Sequence, residues 1–154
     1  MYIKAESIIF NKINISDIDI KISDLVLRFA FNNKKSFIDN SNALIKMRLT
    51  RDNINKTLSN NKWKSLKTSI ESFISMSFQS VEIYNKSIYF ISSDGLPNKN
   101  NEYILQYDKN SISLVNNINK EKLSILNDKN IIVNKLLFCE NHIELELSSE
   151  IMFN

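Results

Sequence analysis

The sequence predicts an α+β fold, a mostly antiparallel β-sheet of about eight or nine strands with one main helix, over about residues 53–76, packed on it. Three observations support this prediction. Apolar and polar residues alternate through most of the chain, the apolar spacing changes to three and four residues in one central segment, and asparagine-rich turns separate the alternating runs. Because 154 residues are enough to bury one hydrophobic core, we expect a single domain over residues 1–154.

Alternation of apolar and polar residues dominates the first fifty positions. Isoleucines alternate with charged residues over positions 18–22. The alternation changes phase near Ser23 and continues over residues 25–31, which predicts a bulge or a short turn between two strands. Residues 32–35, Asn-Asn-Lys-Lys, have the composition of a turn, and residues 43–49 form the next alternating strand.

Residues 53–76 form the predicted helix, because their apolar positions recur mostly at intervals of three and four and share one helical face. The residues on this face are Ile54, Leu58, Trp63, Leu66, Ile70, Phe73 and Ile74. Asn60-Asn61 divides a short first helix from a longer second one. Trp63 lies on the apolar face, so we expect it to anchor the helix in the core.

Strand patterns return after Gln79. Residues 80–84 and 87–92 form a hairpin joined by Asn85-Lys86, a two-residue loop suited to a type I′ turn. This register places Glu82, Tyr84, Ser87 and Tyr89 on one face and Val81, Ile83, Ile88 and Phe90 on the other. A loop follows over 93–101, then strands over 102–108 and 111–115, while residues 119–127 are compatible with either a helix or a strand.

The chain closes with a second hairpin, formed by residues 131–139 and 143–153 around Asn141-His142. This turn would pair Phe138 with Leu145 and leave His142 exposed at the tip. The core face of the hairpin then carries Leu136, Phe138, Ile143, Leu145 and Leu147, and the opposite face carries Cys139, Glu144 and Glu146.

The scarcity of glycine, cysteine and histidine excludes several kinds of functional site. The only glycine, Gly95, cannot build a Walker loop or a dinucleotide-binding turn, which need several glycines. With Cys139 as the only cysteine and His142 as the only histidine, we expect no catalytic residues, no bound metal and no cofactor. No secretory signal and no membrane-spanning run is evident, so we expect a cytoplasmic protein without a membrane partner.

The charges are distributed unevenly along the chain, although the formal net charge is only +3. Residues 33–70 carry nine Lys and Arg against two Asp and Glu, which is a net charge of +7. Residues 71–154 carry seven Lys against eleven Asp and Glu, a net charge of −4. Two binding surfaces of opposite sign are compatible with this asymmetry.

A basic surface would bind the phosphates of single-stranded nucleic acid while tyrosines stack on its bases. The candidate residues are Lys46, Arg48, Arg51, Lys62, Lys64, Lys67, Tyr84 and Tyr89. Tyr103 and Tyr107 share a face of the next strand, so we expect up to four tyrosines on one surface.

An acidic surface would instead bind a basic protein partner and steer its approach electrostatically. Its candidate residues lie on and near the terminal hairpin, where no Lys or Arg follows Lys135. They are Glu140, Glu144, Glu146 and Glu150.

One segment resembles a known family. Asn61-Lys62-Trp63-Lys64-Ser65-Leu66, followed by Ser69-Ile70 and by hairpin-like strands through Ser92, is similar to the Trp-bearing helix and following strands of some immunity proteins of contact-dependent growth inhibition systems. The resemblance covers about residues 61–92. It implies an α+β cytoplasmic protein that binds and blocks one cognate toxin domain.

These observations lead to one main functional hypothesis and two alternatives. The main hypothesis is a non-enzymatic cytoplasmic binding protein, an immunity protein that neutralises a cognate bacterial toxin domain. The alternatives are a single-stranded nucleic-acid-binding protein that uses the basic segment and the tyrosine-bearing sheet face, and a viral or mobile-element protein that binds a host protein. The abundance of Ile, Asn and Lys indicates an AT-rich genome.

Overall fold

The computed structural model describes residues 1–10, 13–23, 27–30, 35–38, 41–95 and 102–151. It confirms the α+β class, with two five-stranded antiparallel sheets and two helices, of which the second is the longer. The strands in the described ranges outnumber the eight or nine expected, because ten lie in the two sheets and a further pair forms a separate ribbon.

The strands are β1 (Tyr2–Phe10), β2 (Ile13–Ser23), β3 (Leu27–Ala30), β4 (Lys35–Ile38), β5 (Ser41–Thr50), β6 (Ser80–Tyr84), β7 (Ser87–Ile91), β8 (Tyr103–Asp108), β9 (Ser111–Asn116), β10 (Lys122–Asn127), β11 (Ile131–Phe138) and β12 (His142–Ile151). The helices are α1 (Arg51–Leu58) and α2 (Lys64–Ile74), with a 3-10 turn over Asn61–Trp63 between them. The first sheet has the order β1-β2-β5-β12-β11, and the second is the meander β10-β9-β8-β7-β6. Strands β3 and β4 form the ribbon.

The helical segment divides where the sequence predicted. Thr50 caps α1, since its hydroxyl accepts the Asn53 backbone N–H at 3.3 Å while the Asn53 side chain accepts the Thr50 backbone N–H at 3.0 Å. Asn60 caps the 3-10 turn by accepting the Lys62 N–H at 3.0 Å. Ser75 follows the last residue of α2 and caps the helix with a left-handed backbone conformation, with φ of 54°. The predicted helix is therefore two short helices.

The β6–β7 hairpin has the predicted register. Tyr84 lies opposite Ser87 and Ile83 opposite Ile88. Asn85 and Lys86 form the two-residue turn with positive φ values of 49° and 62°, as a type I′ turn requires. The predicted core face of this hairpin is buried.

The predicted register of the terminal hairpin is wrong by two residues. Phe138 lies opposite Ile143 rather than Leu145. A wider turn, closed by the Cys139 N–H donating to the His142 carbonyl at 2.9 Å, replaces the expected two-residue loop. Because side chains alternate with a period of two, a shift of two residues leaves the predicted faces unchanged. It does move His142 from the tip into β12, where its side chain is only 17% exposed.

Two further expectations concern irregular segments. Residues 122–127, left open between helix and strand, form β10. Most of the predicted turn at 32–35, the phase change at 24–26 and most of the loop over 93–101 lie outside the described residues. The described part of that loop ends at Gly95, whose φ of +77° suits a glycine.

The core consists of two apolar clusters. In the first, α2 packs on the second sheet through Ile70 and Ile74, with Phe78 beside them and Ile143 contributed by β12. The second cluster joins the first sheet to the second sheet through Ile112, Val133, Leu145 and Leu147. Two half-buried leucines, Leu105 and Leu136, pack against both clusters. A continuous apolar layer therefore holds the two sheets together.

Asparagine side chains make the polar links between elements. The Asn55 amide on α1 accepts the Val81 N–H at 2.7 Å and donates to the Val81 carbonyl at 3.1 Å. Val81 belongs to β6, an edge strand of the second sheet, so Asn55 occupies the place of a neighbouring strand. Asn110 in the β8–β9 turn donates to the Ile131 carbonyl at 2.6 Å and so ties the second sheet to the first.

Trp63 is half-buried at the junction between the 3-10 turn and α2. Among the described residues its indole Nε1–H is buried without a hydrogen-bond partner. No helix in the described ranges is both long enough and apolar enough to cross a bilayer.

Replacing Asn55 tests the contact between α1 and the edge strand. We expect Asn55→Ala to lower the free energy of unfolding by about 1–3 kcal/mol, because both hydrogen bonds to Val81 are lost. Urea denaturation measures the change. Asn61→Ala, at an exposed position of the 3-10 turn, is the matched control. Equal losses in the two variants would contradict the edge-protecting role of Asn55.

Replacing Lys86 tests the backbone cost of the β6–β7 turn. A left-handed conformation costs a non-glycine residue about 1–2 kcal/mol, and glycine loses about 0.5–1 kcal/mol more chain entropy on folding. We therefore expect Lys86→Gly to raise the free energy of unfolding by roughly 0.5–1 kcal/mol. The same substitution at exposed Lys56 in α1 should instead lower it by about 1 kcal/mol. Urea denaturation of both variants checks the opposite signs.

Candidate functional site

The outer face of the first sheet carries rows of opposite charge. In the register of β5 and β12, Lys46 lies opposite Glu146 and Arg48 lies opposite Glu144. The Lys46 Nζ is 3.2 Å from the Glu146 Oε2. Two residues predicted for the basic surface and two predicted for the acidic surface thus share one face of the same sheet.

Two β-bulges on the flanking strands add further charges to this face. On β2, the register shifts between Ser16 and Ile18, and Asp17 has a positive φ of 52°. The Asp17 Oδ2 lies 3.2 Å from an Arg48 guanidinium nitrogen. On β11, the register shifts between Val133 and Lys135, which places Lys135 opposite Glu146. Bulges commonly redirect side chains in this way near binding sites.

A depression of about 360 Å³ lies between the two bulges. Its charged lining residues, which we call the charged groove, are Asp17, Lys46, Arg48, Lys135, Glu144 and Glu146. Across the four strands β2, β5, β12 and β11, the sign of the charge alternates acidic, basic, acidic, basic. Such a surface carries charges of both signs in a fixed order. A partner would need charges of the opposite sign at the corresponding positions to bind it.

The remaining predicted glutamates lie outside the groove. Glu140 is exposed on the turn between β11 and β12. Glu150 lies near the far end of β12, opposite Asn42 of β5 in the backbone register. In the part of the chain that the structure describes, the four glutamates therefore do not form one continuous row. Glu144 and Glu146 lie on β12, an interior strand of the sheet.

The other predicted basic residues lie at the end of β5 and on the helices. Arg51 pairs with Asp52 at 3.1 Å and with Glu82 at 3.3 Å. The hydrogen bond to Asp52 and, to a smaller extent, the one to Glu82 raise the pKa of Arg51. Exposed Lys62 lies in the 3-10 turn, exposed Lys64 begins α2, and the Lys67 Nζ lies 5.1 Å from the centre of the Phe78 ring.

The tyrosines do not form the four-membered surface that we expected. Tyr84, 62% exposed, and half-buried Tyr89 share the outer face of the second sheet. Tyr103 is 1% exposed, because it lies opposite Ile88 on the core face and its ring packs edge-on against Phe90, with centroids 5.3 Å apart. The expectation is wrong because strand pairing, which periodicity alone does not specify, places Tyr103 in the core.

A polar network on the outer side of the second sheet was not predicted. The Glu102 carboxylate accepts hydrogen bonds from the Ser87 hydroxyl and, at 3.1 Å, from the Asn117 side-chain amide. These two hydrogen bonds, with a smaller contribution from the charge of Lys120, lower the pKa of Glu102 below its usual value of 4.5. Ser87 and Asn117 each lie 15 residues from Glu102 along the chain, so no local sequence pattern indicates this network.

A second unpredicted cluster adjoins the charged groove and shares Glu144 with it. Single donor atoms of Cys139, His142 and Glu144 all lie within 4.8 Å of one another. From the sequence we expected no metal site, because the chain has only one cysteine and one histidine. The spacing Cys-x-x-His-x-Glu over residues 139–144 was the available signal for this cluster.

Comparisons with protein families, with curated proteins and with solved structures find no match to this chain.

Replacing Glu102 tests the polar network through its pH dependence. A lowered pKa in the folded state means that the Glu102 carboxylate stabilises the fold above its unfolded pKa, and that this contribution is lost as the pH falls through the folded pKa. We therefore expect Glu102→Gln to have a lower free energy of unfolding than the wild type at neutral pH. In acid the two free energies should become equal. Urea denaturation at a series of pH values measures this, with Glu140→Gln on the exposed turn as the control. A constant difference at all pH values would contradict the assignment.

Proposed function

We propose that this chain is a non-enzymatic binding protein that recognises a charged protein partner through the charged groove. The partner class that the sequence favours is a cognate bacterial toxin domain, which the chain would neutralise in the cytoplasm as an immunity protein. The toxin class rests on the resemblance of residues 61–92, and the choice of surface rests on the structure.

The observation that carries this proposal is the arrangement of six charged side chains around one depression between two bulges. The Asp17 bulge holds a left-handed backbone at a non-glycine residue, which costs about 1–2 kcal/mol. Its carboxylate is thereby brought to Arg48. A pattern of fixed charges with alternating sign selects a partner with the complementary pattern and repels partners of a single sign.

The same pattern makes nucleic acid the weaker candidate. Lys46, Arg48 and Arg51 each lie within 3.3 Å of a carboxylate oxygen. A phosphate backbone on this face would have to displace those carboxylates and then lie beside Glu144 and Glu146. Arginine and lysine contribute most to nucleic-acid affinity when they are available to neutralise phosphates.

The proposal predicts that a toxin domain is encoded immediately upstream of the gene for this chain, and the test uses that domain. We expect co-expression to restore growth of cells that produce the toxin domain, and the purified proteins to form a one-to-one complex that survives moderate salt. Light scattering after size exclusion gives the stoichiometry, and calorimetry gives the affinity.

A charge exchange within the groove separates recognition from folding. The double variant Lys46→Glu with Glu146→Lys keeps an ion pair across β5 and β12 but reverses its polarity. We expect the variant to fold with a small loss of thermal stability, because its new lysine lies opposite Lys135 and its new glutamate opposite Asp19. We expect its affinity for the toxin domain to fall at least tenfold, which is about 1.4 kcal/mol. Lys122→Glu, at an exposed position of β10 in the other sheet, is the control and should bind as the wild type does.

Three results would contradict the proposal. Cell death despite co-expression would exclude this toxin as the partner, and wild-type affinity in the exchange variant would exclude the groove as the contact surface. Binding of a labelled single-stranded oligonucleotide that weakens steeply with salt would favour the nucleic-acid alternative.

A further inference from the structure

We infer that Cys139, His142 and Glu144 form a binding site for a divalent transition-metal ion of the Zn²⁺ type. The ligand atoms would be the Cys139 thiolate sulfur, the His142 Nε2 and one Glu144 carboxylate oxygen. The site lies where the β11–β12 turn meets the charged groove. It shares Glu144 with the charged groove, but it needs no partner protein and is therefore tested on the isolated chain.

The geometry of the three donors is close to what a tetrahedral ion requires. Zn–S and Zn–N or Zn–O bond lengths imply ligand–ligand separations of about 3.5 Å in a tetrahedral site. The His142 Nε2 and the Glu144 Oε1 are 3.7 Å apart, and one donor atom from each of Cys139, His142 and Glu144 lies within 4.8 Å of the other two. Closure by about 1 Å, within the range of a side-chain rotation, would therefore complete the coordination.

A hydrogen bond already orients the imidazole for metal binding. The His142 Nδ1 lies 2.9 Å from the Asn141 side-chain oxygen, which accepts hydrogen bonds and cannot donate one. When Nδ1 carries the proton, its N–H donates to this oxygen, and Nε2, which lies 3.7 Å from the Glu144 Oε1, is the nitrogen that binds a metal ion. Metal-binding histidines characteristically donate their second ring nitrogen to an oxygen acceptor in this way.

The backbone and the charges of the site also favour a divalent ion. The Cys139 N–H donates to the His142 carbonyl at 2.9 Å, which closes the turn and holds the two ligands on one side of it. A thiolate, a neutral imidazole and a carboxylate together carry two negative charges, which a divalent cation neutralises. Arg48, across from Glu144 in the register, is paired with Asp17 at 3.2 Å.

The mixture of donors selects the kind of ion. Sulfur and imidazole ligands favour Zn²⁺ and its neighbours among the transition metals over Mg²⁺ and Ca²⁺, which prefer oxygen ligands. Three protein ligands leave one tetrahedral position for water or for an atom of another molecule.

Titration of the purified, reduced full-length chain with Co²⁺ tests this inference, in a phosphine reductant that does not compete as a thiol would. We expect one Co²⁺ per chain, with a thiolate-to-cobalt charge-transfer band and the visible bands of tetrahedral Co²⁺. Added Zn²⁺ should remove both sets of bands, and added Mg²⁺ should leave them unchanged.

Variants assign the ligands. Cys139→Ala should abolish the charge-transfer band, and His142→Gln and Glu144→Gln should each weaken binding at least tenfold. Asn141→Ala should weaken it by about 10–100-fold, because the imidazole loses its orienting partner. Glu140→Gln, in the same turn and outside the cluster, should bind Co²⁺ as the wild type does. Circular dichroism of the metal-free variants establishes that each is folded.

Either of two results would overturn the inference. Absence of the charge-transfer band in the folded wild type at excess Co²⁺ would exclude thiolate ligation. Equal affinities in the wild type and Cys139→Ala would show that the metal binds elsewhere on the chain. Neither result bears on the exchange of Lys46 and Glu146, which tests the proposed function separately.

Discussion

The pairing of β12 with β5 is the interaction on which the rest of this structure depends. It runs from His142 opposite Thr50 to Ile151 opposite Ser41 and joins the last strand of the chain to a strand from its first third. The inner face of the pair packs into both apolar clusters, and its outer face holds the charged rows of the groove. Thr50, at the end of the pairing, also caps α1 and so sets where the helical segment begins.

The near absence of glycine constrains how this fold makes its turns and bulges. In the described ranges, Asp17, Ser75, Asn85, Lys86 and Lys120 adopt positive φ values. The left-handed backbone has a higher conformational free energy at each of these residues than it would at a glycine. Surrounding hydrogen bonds and packing must therefore keep the residue in that conformation. At Asp17 the strained backbone lies at the bulge that lines the charged groove. Side-chain amides supply further links, since Asn55 and Asn110 bond directly to the backbone of neighbouring elements.

Local patterns predicted the elements well and their long-range arrangement poorly. The type I′ chemistry of Asn85-Lys86 determines both the turn and the register of its hairpin, so the faces of β6 and β7 followed from the sequence. The terminal turn has no such signature, and its register was wrong by two residues. Tyr103 was assigned to an exposed face because periodicity groups residues on a strand without showing which face meets the helix. Most charged residues of the groove were named from the sequence. That acidic and basic residues alternate across neighbouring strands of one sheet was not predicted.

The sequence by itself determined the α+β class, the division of the helical segment at Asn60, and which residues of each hairpin share a face. These properties depend on contacts between residues close in the chain, so composition and spacing carry them. Tertiary structure alone decided that the basic residues of β5 and the glutamates of β12 lie opposite one another, and that His142 lies in a strand beside Cys139 and Glu144. The physical reason is that strand order and register are set by the burial of distant apolar residues against each other, which no local pattern encodes.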